Sequence, residues 1–273
     1  IIFRCSKIIF EDKKIVIVGP SPHLIGKNYG ELIDSFDIVV RINELGVVTE
    51  MSKDYGSRTD ISFLSLSEEA IEIYSQMKKE VNLESLKLIV HPRHEYNFNP
   101  IKLEKTKHVK EYFDSLDLDI DFLQITDPTF EERCKIFECF PGTGSLTIFE
   151  ILKYNFSELF VCGFSFYTTK YRYSPKGIEY FRIPKKNQHK HNYRMSGHDT
   201  RQEVIVLRKL IKNHKNVNGD SYFQKIILSD TIFYYEVKRF INYNLNLDNY
   251  KNIIKKIFRV KTYRKILNKY KSE

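Results

Sequence analysis

Two short apolar runs that each stop at a glycine, residues 14–19 (KIVIVG) and 158–163 (ELFVCG), constrain the fold more than any other feature. Consecutive apolar residues without alternation describe strands buried on both faces, and a terminal glycine lets the backbone turn sharply where the strand ends. The first run feeds Pro20-Ser21-Pro22, a turn-forming segment. Residues 36–43 (FDIVVRIN), 60–66 and 86–91 (LKLIVH) are further strand candidates. Helices are expected over residues 29–35, 67–79, 100–116, 145–154 and 200–212. In the last of these, Val204, Val206, Leu207, Leu210 and Ile211 cluster on one side, as a core-facing helix requires. Strands alternating with helices predict an α/β fold, with a mostly parallel sheet covered by helices on both faces. Ligands in such folds sit outside the carboxyl ends of the strands, so the polar residues there carry the functional reading.

The chain has 273 residues, enough for one large α/β domain with a substantial core. Hydrophobic residues at 42% and charged residues at 29% describe a globular chain and exclude a disordered one. The net charge of +9 is concentrated at the end of the chain, because residues 237–273 hold eleven Lys or Arg against Asp248 and Glu273. Residues 1–236, the expected main domain, are neutral overall. In the basic extension, Ile253, Ile254, Ile257, Phe258, Ile266, Leu267 and Tyr270 recur at helical spacing among lysines and arginines. Such C-terminal basic helices suit an anionic membrane surface, and equally a helix packed on the domain with a solvated basic face. Nucleic acid is a weaker partner, since no recognised binding module accompanies the charge.

Cys5, Cys134, Cys139 and Cys162 show no C-x-x-C spacing, which argues against zinc and for free thiols in a reducing compartment. The expected location is therefore cytoplasmic, peripheral at a membrane if the basic extension binds one. No apolar run approaches the roughly 20 residues that span a bilayer. The sequence begins at Ile1, which leaves open an upstream leader or anchor.

Three groups could carry chemistry. Gly19 allows a ligand to approach backbone, Ser21 and Asn43 can hydrogen-bond a nucleotide, and Arg41 shares the strand end with Asn43. A plain βα turn with a polar strand end is the competing reading. Pro141-Gly142-Thr143-Gly144-Ser145 opens a predicted helix whose N–H groups and hydroxyls suit a phosphate or carboxylate. It is no P-loop, because no lysine follows in the required place, and an N-cap of small residues explains it equally. His198 stands just before an amphipathic helix, and an ordinary imidazole pKa of about 6.5 suits a general base. Glu203 could orient it; the alternative is a structural histidine with Asp199 as helix cap.

In their order along the chain, these segments resemble the sialyltransferases, glycosyltransferase family 29. The stretch from Gly19-x-Ser21 through Tyr29-Gly30-x-x-Ile33-Asp34-Ser35-x-Asp37 to Arg41-x-Asn43 resembles the long sialyl motif. Gly56-Ser57-Arg58-Thr59-Asp60 is similar to the element that follows it. Pro141-x-Thr143-Gly144, running on to Gly163-Phe164, resembles the short motif, and His198-x-x-x-x-Glu203 the very short one. His191-Asn192-Tyr193-Arg194 is similar to a degenerate third motif. Together they cover roughly residues 13–210.

The resemblance implies a Rossmann-like, GT-A-like transferase that inverts the anomeric centre and needs neither metal nor another cofactor. The implied donor is CMP-sialic acid, with CMP-Kdo as the alternative, and the implied acceptor is a glycan or glycolipid hydroxyl. Ser21 and Asn43 would contact CMP, and Thr143, Gly144 and Ser145 would lie against the donor. Gly19, Arg41, Gly163 and Phe164 belong to the same implied donor site. His191, with His189 as the competing choice, would face the phosphate, and His198 would be the catalytic base with Glu203 behind it. The chain departs from the family where Pro20 replaces the usual asparagine. Its long motif also lacks the cysteine of the family's disulfide to the short motif, which agrees with a reduced protein.

Asp117-x-Asp119-x-Asp121 could hold a divalent cation, but its alternation with Leu118, Ile120 and Phe122 reads better as a strand with a solvated acidic face. No metal site is expected. A reading of another class is a non-catalytic protein that binds membrane or nucleic acid through the basic extension. Truncation after Glu236 separates the two in a liposome-flotation and turnover assay. Lost vesicle binding with retained turnover makes the extension an anchor on an enzyme; salt-sensitive binding without any turnover supports the non-catalytic reading.

Overall fold

The computed structural model describes residues 10–65, 81–92, 120–125, 127–166, 168, 199–230, 232 and 234–236. The unbroken apolar run Lys14–Val18 forms β1, and Ile15, Val16, Ile17 and Val18 are all fully buried. A strand covered on both sides has to sit inside the sheet, and β1 does. Parallel partners flank it, β2 (Ile38–Ile42) on one side and β6 (Glu158–Cys162) on the other. Beyond β2 lie β3 (Ile61–Phe63), β4 (Leu88–His91) and β5 (Asp121–Gln124), and beyond β6 lies β7 (Val217–Gly219). The order is β5-β4-β3-β2-β1-β6-β7, with every pairing parallel. The described sheet is thus wholly parallel and Rossmann-like, as its apolar strands predict.

Alternate residues of β1 serve two cores. Ile15 and Ile17, with Ile38, Val40, Leu159 and Val161, pack beneath the helices α4 (Thr143–Ile151) and α5 (Thr200–Ile211). Val16 and Val18, with Val39 and Cys162, meet Leu24, Ile33, Phe36 and Tyr55 around α1 (Gly30–Asp34) and α2 (Ser52–Tyr55). Burying each such side chain contributes about 1.5–3 kcal/mol, which is why one-residue slips of register are excluded.

Helix α3 (Asp127–Phe137) is not signalled by apolar periodicity, because a charge occupies its inner stripe. Phe130, Arg133 and Phe137 are all buried. Arg133 makes a forked pair with Glu150 of α4, Nε to Oε1 at 2.6 Å and Nη2 to Oε2 at 3.2 Å. Lys153 completes the cluster, 2.9 Å from Glu150 and over the Phe149 ring. After β7, the short α6 (Ser221–Phe223) runs into a π-helical turn, Gln224–Leu228. Arg208 of α5 donates to the carbonyls of Ile226 and Ser229 around that turn.

The helices expected over 67–79 and 100–116, the acids Asp117 and Asp119, and the basic extension 237–273 lie outside the described residues. Asp121 opens β5 as an exposed residue, and no described helix is long and apolar enough to cross a membrane. The three described cysteines, Cys134, Cys139 and Cys162, are free thiols.

Connections leave β1 and β6 in opposite directions along the sheet, so their carboxyl ends form the topological switch point. There, Gly163 has a φ of +74°, and a Cβ on it would stand 2.2 Å from the Gly19 carbonyl oxygen. Gly163→Ala is expected to cost more than about 3 kcal/mol in urea denaturation. Gly26→Ala, also at positive φ but with nothing within 4 Å, supplies the control at about 1–2 kcal/mol. Equal losses at the two positions would show that backbone contact at the switch point contributes nothing special.

Candidate active site

Backbone builds the centre of the switch point. Gly19 N–H donates to the Cys162 carbonyl at 2.8 Å, and Ser21 N–H donates to the Gly163 carbonyl at 3.0 Å, so the β1–β6 ladder continues past both strands. The Phe164 ring fills the space that a side chain at Gly19 or Gly144 would need: a Cβ there would lie 2.8 Å and 2.6 Å from it, respectively. Gly19, Gly144, Gly163 and Phe164, drawn from three stretches of sequence, therefore form one contact set.

Ser21 is buried, with its carbonyl accepting from the Tyr55 hydroxyl at 2.8 Å. Its Oγ lies 2.9 Å from His23 Nδ1, and His23 Nε2 lies 2.8 Å from Asp220 Oδ2. The His23 ring stacks on Tyr222 at 4.1 Å between centroids. Asp220 also accepts from Gly163 N–H at 2.7 Å and caps α6 through Tyr222 and Phe223 N–H, both at 2.9 Å. Sequence reasoning missed His23, Asp220 and Tyr222. The usable signal was local: an aspartate before a short helix and a histidine inside a Pro-rich turn.

Arg41 stands beside Val18 in the β1–β2 register. It is fully buried, and its guanidinium donates to the Tyr55, Gly56 and Arg58 carbonyls and to Thr59 Oγ1. Asn43, at φ +55°, accepts from Ser65 N–H at 2.8 Å through Oδ1 and donates its own N–H to the Phe63 carbonyl. The Gly56-Ser57-Arg58-Thr59-Asp60 element is wiring of the same kind. Asp34 accepts from Ser57 and Arg58 N–H, Arg58 pairs with Asp60 at 3.0 Å and reaches the Phe36 carbonyl, and Asp60 accepts from Val39 N–H.

Helix α4 starts two residues earlier than the sequence suggested, because Gly142 is the extended N-cap residue. That cap makes no side-chain hydrogen bond, so the first-turn amides of Thr143, Gly144 and Ser145 present the positive end of the helix dipole. The Thr143 and Ser145 side chains are buried. Ser145 Oγ donates to Glu203 Oε2 at 2.5 Å, tying α4 to the first turn of α5. Asp199 caps α5, accepting from Arg201 and Gln202 N–H. Cys139 Sγ–H points to the Asp199 carbonyl, and burial, with the Glu203 and Asp199 charges, pushes its thiol up to about 11. It is therefore a neutral spacer beside the helix start. His189, His191 and His198 lie outside the described residues; Asp199 and Glu203 show only the helix start that follows His198.

A doubly wound parallel sheet, with a packed glycine seam at its switch point and, in α4, a helix start without a side-chain cap, defines a Rossmann-like fold. Residues 11–215 match glycosyltransferase family 29 (sialyltransferase), and the chain belongs to that family of glycosyltransferase enzymes. Among solved structures it is similar to a mammalian sialyltransferase in complex with Gal-beta-1-3GalNAc-ortho-nitrophenol. Identity there is 19% over 79% of this chain and 71% of that one, with a TM-score of 0.46. A second structure of a mammalian sialyltransferase is 17% identical over 77% and 69% of the two chains, with a TM-score of 0.45. No curated protein sequence matches the chain.

The Ser145–Glu203 bond generates a test of how the two motif helices are held. A double-mutant cycle of Ser145→Ala and Glu203→Ala on unfolding free energy is expected to give about 1.5–3 kcal/mol of coupling, the worth of a hydrogen bond to a charged group. Strictly additive losses would remove this bond as the link between α4 and α5.

Proposed function

We propose that this family member moves a sialic acid from CMP-sialic acid to an acceptor glycan hydroxyl, by single displacement with inversion and without a metal. The observation that carries the reading is convergence. Segments matching the long, short and very short motifs meet at one switch point, through Gly19–Gly163, Gly144–Phe164 and Ser145–Glu203 contacts. In this reading Ser21 and Asn43 meet the CMP moiety. The uncapped amides of Thr143, Gly144 and Ser145 face the donor's carboxylate or phosphate, which a helix N-terminus favours. His198 takes the proton of the acceptor hydroxyl as its oxygen bonds to the anomeric carbon. The bond from that carbon to the phosphate oxygen breaks, and CMP leaves with the electron pair. His191 faces the departing phosphate, whose charge fixed donors and an imidazole stabilise.

The basic extension would hold the enzyme at an anionic cytoplasmic membrane surface, near a lipid-linked acceptor. CMP-Kdo shares the CMP group and the 2-keto sugar acid, so it is the competing donor.

Calorimetry in EDTA with CMP, CMP-sialic acid and CMP-Kdo, against UMP and GMP, is the experiment. Selective CMP binding with CMP-sialic acid preferred supports the reading, and a preference for CMP-Kdo renames the sugar. Absence of CMP binding would sink it. His198→Ala is expected to lower turnover by about 10²–10⁴-fold while CMP affinity stays within a few-fold. Full activity in that variant would remove His198 as the base.

A further inference from the structure

We propose that His23, clamped by Asp220, is a positioning residue that fixes the Ser21 hydroxyl for the nucleotide: Ser21 gives its proton to the imidazole and offers its lone pairs to the ligand. The inference rests on the reading of Ser21 as a donor-site residue and adds His23 and Asp220, to which the motif resemblance gives no role.

The direction of the hydrogens follows from Asp220. Its oxygens accept from Gly163, Tyr222 and Phe223 N–H, so the carboxylate is surrounded by donors and acts only as an acceptor. His23 Nε2, 2.8 Å from Oδ2, must therefore carry a hydrogen. In the neutral imidazole, which has one N–H, Nδ1 is the lone-pair nitrogen and Ser21 Oγ, 2.9 Å away, is the donor, whereas an imidazolium would donate from both nitrogens.

Neighbouring groups hold this arrangement in place. The side chains of His23 and Asp220 are only 9% and 2% exposed, so water does not compete for the bonds. Tyr222 stacks on the ring, and turning the imidazole over would set carbons against both partners. Tyr29 and Cys162 are raised by burial first and by the Asp220 charge second, which keeps both neutral beside it.

The same three side chains resemble those that activate a serine nucleophile, but the backbone argues otherwise. Ser21 N–H is bonded to the Gly163 carbonyl and Gly163 N–H to Asp220, so these two amides are not available to an oxyanion. Polarity and placement of a hydroxyl, not covalent chemistry, is what the geometry supplies.

The test combines calorimetry with ¹⁵N NMR of the imidazole in the full chain. Ser21→Ala and His23→Gln are each expected to weaken CMP binding about tenfold, and the double variant no further, because one bond is lost in all three. The ¹⁵N spectrum should show the Nε2–H tautomer, with Ser21→Ala shifting Nδ1 and sparing Nε2. Wild-type CMP affinity in His23→Gln, multiplying losses in the double variant, or an Nδ1–H tautomer would each overturn the inference alone. Wild-type protein that binds no CMP overturns the donor-site reading and this inference with it. Should His23→Gln fail to fold, the ¹⁵N shifts of wild type and Ser21→Ala decide the matter.

Discussion

The close passage of two backbones, Gly19 at the end of β1 and Gly163 at the end of β6, is the constraint on which the rest of the structure depends. Each residue would drive a Cβ into the other's carbonyl oxygen, at 2.5 Å and 2.2 Å. Because neither has a side chain, the hydrogen-bond ladder runs on past both strands, and the first turn is bonded directly to the residue that aims Phe164. Phe164 then covers Gly144, which places the start of α4 against the same seam. Three distant stretches of sequence are brought together by missing side chains, before any polar group contributes.

Buried charges lock the two sides of this seam. On the β2 side, the Arg41 guanidinium holds three carbonyls and a threonine hydroxyl of the segment that crosses beneath it. On the β7 side, Asp220 gathers three backbone N–H groups and the His23 ring. Such groups are costly to desolvate and add little net stability, but removing one leaves its partners unsatisfied, so they exclude alternative arrangements of the chain. Cys162 lies between them: burial raises its thiol, Asp220 adds to that, and Arg41 opposes it.

The centre of the sheet was legible because consecutive apolar residues leave a central strand few other roles, and β1, β2 and β6 appear where their sequences place them. The periphery was less so. Strand β7 is three residues long in a polar stretch, too short to show any period, and α3 hides its inner stripe behind Arg133. At the site, Gly19 reads as a place where a ligand approaches backbone, and in the structure Gly163 and Phe164 lie against it. Pairings across the fold were not legible: Ser145 with Glu203, and His23 with Asp220 across 197 positions, depend on how the sheet winds. At the end of β2 the Arg41 guanidinium also meets a crossing segment of its own chain, a contact that the strand pattern does not signal.

Seven parallel strands put all their carboxyl ends on one edge. The connections that follow β3, β4 and β6 therefore depart from the same rim as the glycine seam. Insertions and replacements in them alter the chain between frame elements rather than within the frame. Such an arrangement separates two kinds of inheritance. The glycine seam is tied to contacts that tolerate almost no change, while the connections can drift in segments whose length the sheet does not dictate.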